Sequence, residues 1–71
     1  MIILGSYVPV KTDGTYTLEY WYDRHQRYWV IQIFDSNDVE VESETMIRKP
    51  YLKESISEFK NRYNVVNVIR K

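Results

Sequence analysis

Apolar and polar positions alternate with a period of two through the middle of the chain, then switch to a helical period near residue 49. Residues 15–22 (TYTLEYWY) are β-branched and aromatic almost throughout. They predict a strand with Tyr16, Leu18, Tyr20 and Tyr22 on one face and Thr15, Thr17, Glu19 and Trp21 on the other. Residues 28–34 (YWVIQIF) predict a second strand, with Trp29, Ile31 and Ile33 opposed to Tyr28, Val30, Gln32 and Phe34. Residues 39–47 alternate again, placing Val39, Val41, Ser43, Thr45 and Ile47 against Glu40, Glu42, Glu44 and Met46. The polar block from Asp23 to Arg27 reads as a hairpin loop, and Asp35-Ser36-Asn37-Asp38 as a turn of residues that bond their own backbone.

After Lys49-Pro50 the apolar residues Leu52, Ile56, Phe59 and Tyr63 recur at helical spacing. Proline suits a first helical turn, where its missing N–H costs nothing. Lys60 and Arg62 near the end complement the helix dipole, and Asn64 is the expected C-terminal cap. Val65 to Ile69 then reads as a short last strand. Ahead of the central strands, residues 2–10 carry Ile2, Ile3, Leu4, Tyr7, Val8 and Val10 and read as a further strand, with Gly5 at a bulge and Pro9 marking an edge. Thr12-Asp13-Gly14 supplies a turn.

This order (β-β-β-β-α-β) predicts one α+β domain over residues 1–71: an antiparallel meander sheet of three to five strands with the helix packed on one face. The expected core is Leu18, Tyr20, Ile31, Ile33, Val41, Ile47, Leu52, Ile56, Phe59 and Val68. One helix covers one face, yet the strand at 28–34 is apolar on both. Strict alternation therefore leaves large side chains on the open face, whichever way the strand turns. Trp21, Tyr28, Val30 and Phe34 are the candidates for a partner-binding surface there, since aromatic residues are enriched at interface cores. Residues 2–10 folding over that face would cover it instead.

Composition sharpens this picture in two places. The 71 residues include 7 Tyr, 2 Trp and 2 Phe, more aromatic surface than one short helix can cover. The formal net charge is zero, which argues against a simple basic nucleic-acid binder. That balance hides blocks, however. Residues 35–48 hold Asp35, Asp38, Glu40, Glu42 and Glu44 against Arg48, and residues 49–71 hold four more cations than acids. Glu40, Glu42 and Glu44 fall on one side of their strand and read as a solvated or edge-protecting face. Side chains two apart on a strand lie side by side and do not converge on a cation, so no metal site is expected.

No catalytic set is expected either. The lone histidine, His25, sits in a polar loop; there is no cysteine, and the two glycines are too few for a phosphate-cradling loop. No cofactor is implied. The N-terminal apolar run is too short for a signal peptide, and no segment approaches a membrane span. Together with the absence of cysteine, this predicts a cytoplasmic protein with no membrane partner.

The pattern from 26 to 63 (polar turn, RYWVIQIFD, turn, strand, helix) resembles in architecture the three-stranded-sheet-plus-helix DNA-binding domains, such as the amino-terminal domains of some phage-type integrases. It departs from them in lacking arginine-rich strands and in having an acidic third strand. Two functions are thus carried forward. The first is a small non-enzymatic protein-interaction module, homodimeric or bound to a larger protein, using the open aromatic face. The second is nucleic-acid binding through the hairpin loop 24–27 and the basic C-terminal segment. Its residues are Arg24, Arg27, Lys60, Arg62, Arg70 and Lys71, with stacking on Trp21 or Trp29.

Overall fold

The computed structural model describes residues 14–71. The strand expected over 2–10 and most of the first turn lie outside them. The elements are β1 (Tyr16–Asp23), β2 (Tyr28–Phe34), β3 (Glu40–Ile47), α1 (Lys49–Arg62) and β4 (Val65–Arg70). They form one four-stranded sheet in the order β3-β2-β1-β4, with α1 against one face.

The two predicted hairpins form as antiparallel pairs. In the first, Leu18 pairs with Ile33, Tyr20 with Ile31 and Tyr22 with Trp29. The Asp23 side chain accepts hydrogen bonds from the amides of His25 and Gln26, and its carbonyl accepts from Arg27 N–H at 2.7 Å. Asp35 organises the second turn in the same way, through the amides of Asn37 and Val39. Each loop closes on a left-handed residue, Arg27 (φ 64°) and Asp38 (φ 63°).

The sheet is mixed, which corrects the expectation of an all-antiparallel meander. β4 lies beside β1 and parallel to it. Chain direction explains why. β3, α1 and β4 alternate in direction, so β4 runs the same way as β1 and β3. The only antiparallel neighbour open to it was β2, which is already flanked on both sides. Joining β1 carries the chain across the sheet and lays α1 over the middle of it.

The core lies between α1 and that face. Leu18, Ile31, Ile33, Ile47 and Phe59 are buried together, with Tyr16, Tyr20, Trp29, Leu52, Ile56, Tyr63 and Val65 packed against them. Two expected core residues, Val41 and Val68, are instead exposed. Val68 sits on β4, an edge strand among the described residues. Val41 falls at an irregularity in β3, the other edge strand among the described residues, where Ile33 pairs with Glu42 but Phe34 with Glu40.

A second irregularity corrects the facing of β3. Trp29 pairs with Ile47 but Ile31 with Glu44, so one extra residue is accommodated between them. Met46 there has φ 60°, the left-handed conformation of a bulge residue. The bulge turns Ile47 into the core. It also leaves Glu42 and Glu44 on the helix side, opposite Ile33 and Ile31, while Glu40 reaches Gln32 on the open side. The three glutamates therefore do not share one face. Asn64 is not the helix cap. Tyr63 takes that position, its N–H donating to Phe59 O, while Asn64 donates from Nδ2 to Gly14 O and accepts from Tyr16 N–H.

Candidate functional site: a cationic and aromatic end

Every strand runs between two ends of the molecule, and α1 runs between the same two. One end carries the 24–27 hairpin, the close of β3, the start of α1 and the finish of β4. The sequence order of charge is thereby reshuffled. Arg24 and Arg27 come from the hairpin, Arg48 and Lys49 from the β3–α1 junction, and Arg70 and Lys71 from the C-terminus.

Two hollows open at this end. The larger, about 810 Å³, is lined by Tyr22, Gln26, Arg27, Tyr28, Trp29, Met46, Ile47, Arg48, Lys49 and Pro50. The smaller, about 340 Å³, is lined by Tyr22, Arg24, Trp29, Arg70 and Lys71. Tyr22 and Trp29 belong to both, so this ring pair is the ridge between them. Its centroids are 5.3 Å apart with planes inclined by 58°, a geometry aromatic pairs favour. Arg70 stacks its guanidinium over Trp29 at 5.5 Å, and Tyr20 packs beside the same ring. Tyr22 is the outward member, 44% exposed.

Among the described residues, no acidic side chain lines either hollow. Arg24, Arg27, Arg48, Lys49 and Arg70 have no ion-pair partner among the described residues, and Lys71 pairs with Glu19 at 2.9 Å. Asp23 stands at the base of the hairpin, and its Oδ1 is engaged by the loop amides. The first turn of α1 holds no acidic residue and Arg48 gives no side-chain cap. The positive end of the helix dipole is thus uncompensated and adds to the cationic field.

The sequence-derived cations divide between the two ends. Arg24, Arg27, Arg70 and Lys71 gather around Tyr22 and Trp29. Lys60 and Arg62 lie at the other end of the 14-residue helix, about 20 Å away at the helical rise. Arg62 is committed there. Its guanidinium donates to both oxygens of Glu42, at 3.3 and 2.9 Å, and lies 4.7 Å over the Phe59 ring. Tyr63 Oη donates to the same carboxylate at 2.5 Å. Partial burial acts to raise the Glu42 pKa, but the Tyr63 and Arg62 hydrogen bonds and the Arg62 charge outweigh it, leaving the pKa below its ordinary value. The Tyr63 hydroxyl shifts upward, chiefly because it donates to that carboxylate.

The four open-face residues sit as the alternation predicts, away from the helix, but they do not form a broad exposed patch. Val30, directly across from Trp21, is only 5% exposed, and Trp21, Tyr28 and Phe34 are half-buried. Trp21 Nε1 donates to Gln32 Oε1 at 3.0 Å, and Gln32 Nε2 donates to Glu40 Oε1 at 2.8 Å. Trp29 is therefore the tryptophan beside the cations, and Trp21 is on the opposite side of the sheet. The sequence reading missed Arg48 and Lys49. The signal was present, because a strand antiparallel to β2 must end beside the hairpin where β2 begins.

Among the described residues, no group of three or more histidines or acids converges to hold a metal, and no helix is long and apolar enough to cross a membrane. No protein-family model matches the chain, and no curated protein or solved structure matches it.

Proposed function

We propose that this protein binds nucleic acid through its hairpin end. The observation that carries this reading is the pair of hollows flanking Tyr22 and Trp29, lined, among the described residues, by six basic side chains and by no acidic side chain. Phosphates supply the charge that such a surface lacks, and bases supply flat apolar faces for the exposed ring between the cations. The zero net charge is no obstacle, because charge is distributed unevenly: Glu42 is engaged by Arg62 and Tyr63, and Glu40 by Gln32, away from the hairpin end. The working set is Arg24, Arg27, Arg48, Lys49, Arg70 and Lys71 with Tyr22 and Trp29; Lys60 and Arg62 drop out of it. Binding of a fluorescein-labelled oligonucleotide, followed by anisotropy at several salt concentrations, tests this. Log affinity should fall linearly with log salt, with a slope no steeper than about −4 for six cations on a single strand. No binding to DNA or RNA at ~50 mM salt, where electrostatic attraction is strong, would overturn the reading.

A protein-interaction surface is the second reading, and β4 is the observation that favours it. Among the described residues this is an edge strand, and Val66, Val68 and Ile69 are exposed on it. Exposed apolar edges pair with other chains readily. A second copy or a larger protein adding a strand there, continuous with the Trp21 face, would act without any nucleic acid. Sedimentation equilibrium at high protein concentration tests the homodimer, and a strict monomer would remove that version.

A further inference from the structure

Building on that reading, we infer that the hairpin end selects unpaired nucleotides, with Tyr22 as the ring on which a base stacks. Three features of the ridge point this way. Tyr22 is the exposed member of the ring pair, while Trp29 is held from one side by the Arg70 guanidinium and flanked by Tyr20. Tyr22 also borders both hollows, so cations stand on each side of it: Arg27, Arg48 and Lys49 in one, Arg24, Arg70 and Lys71 in the other. A single strand crossing the ridge sets one base on Tyr22 and its two flanking phosphates in the two hollows. A duplex keeps its base faces inside the stack and offers this ring only the sugar–phosphate exterior. Duplex readers instead send a helix or a β-ribbon into a groove with side chains aimed at base edges. Here the hairpin tip closes tightly on Asp23, whose carboxylate and carbonyl hold the loop amides of His25, Gln26 and Arg27.

The two tryptophans make the inference testable, because they lie on opposite faces of the sheet. In Trp21→Phe the remaining fluorophore is Trp29, 5.3 Å from Tyr22; in Trp29→Phe it is Trp21 on the far side. Titration with oligo(dT) and oligo(rU) should quench Trp21→Phe and leave the emission of Trp29→Phe nearly unchanged. A duplex of equal length should bind at least tenfold more weakly. Tyr22→Ala should weaken oligo(dT) binding by roughly 5- to 150-fold, the range for losing one base–aromatic stack. Tyr22→Phe should restore it, and circular dichroism should show both variants folded. Equal binding of duplex and single strand without Trp29 quenching would overturn the stacking inference while leaving electrostatic nucleic-acid binding intact. Absence of binding to every oligonucleotide would overturn both.

Discussion

The two ends of this molecule are built from the same strands and helix but treat charge in opposite ways. At the end holding the Asp35 turn and the close of α1, Glu42 accepts from Arg62 and Tyr63, and Glu40 from Gln32. Phe59 and Tyr63 stack beneath Arg62 there, with ring centroids 6.5 Å apart. At the hairpin end, five of the six cations have no ion-pair partner among the described residues, and the aromatic ridge between the hollows is open. One end uses its polar groups to hold the helix on the sheet. The other leaves cations unpaired at a cost in mutual repulsion, which makes sense if an anion completes it.

The largest expected effect comes from breaking the closed end. Phe59 is buried among Leu18, Ile31, Ile33 and Ile47. Phe59→Ala should cost ~3–5 kcal/mol, comparable with the whole stability expected of a domain this small. Chemical denaturation should show the variant largely unfolded in water. A cooperative transition displaced by less than ~1 kcal/mol would mean that α1 is not what closes this core.

Charge reversal contrasts the ends directly. Arg24→Glu should lower oligonucleotide affinity several-fold at ~50 mM salt and flatten the salt dependence. Lys60→Glu, at the far end of α1, should change it less than twofold. Equal losses from the two would show that net charge, rather than the hairpin end, attracts the ligand.

The elements were readable from periodicity, but their arrangement was readable only in part. Residues 28–34 form the expected strand to the residue, and Leu52, Ile56 and Phe59 form the stripe that meets the sheet. The strict alternation assumed for 39–47 fails because a single left-handed residue, Met46, reverses the facing of everything before it relative to Ile47. Nothing in the type of a methionine announces a positive φ. The parallel placement of β4, by contrast, follows from counting strand directions, which periodicity ignores. The candidate site was half legible. The hairpin arginines and the C-terminal cations were found as sequence clusters, but Arg48 and Lys49 join them only through the antiparallel path of β3.

A smaller effect tests the closed end by pH. The folded pKa of Glu42 is lowered, so its contribution to stability is present above the ordinary carboxylate pKa. It is lost as the pH falls through the lower, folded value. Tyr63 works in the opposite sense: its raised pKa contributes below the ordinary phenol value and is lost as the pH rises through the folded one. Glu42→Gln should flatten the acid limb of a stability-versus-pH curve. At pH 7 it should cost no more than about 1 kcal/mol, because the pair is substantially solvated. An unchanged acid limb would show that another carboxylate governs it.

The smallest effect separates strain from charge at the open end. Arg27 and Met46 both border the larger hollow, and both adopt positive φ without being glycine. That conformation costs a side-chain-bearing residue about 1–2 kcal/mol. Glycine relieves the strain but loosens the unfolded chain by about 0.4–1 kcal/mol. Met46 is 71% exposed, so little packing is lost with its side chain. Met46→Gly should therefore leave stability unchanged or raise it by up to about 1.6 kcal/mol, and should leave oligonucleotide affinity within twofold. Arg27→Gly relieves the same strain but removes a cation from the hollow, so stability should behave alike while affinity falls several-fold. A drop in affinity for both variants would point to loop geometry as the determinant. A drop for Arg27→Gly alone would mean that the strained position is kept for the charge it carries.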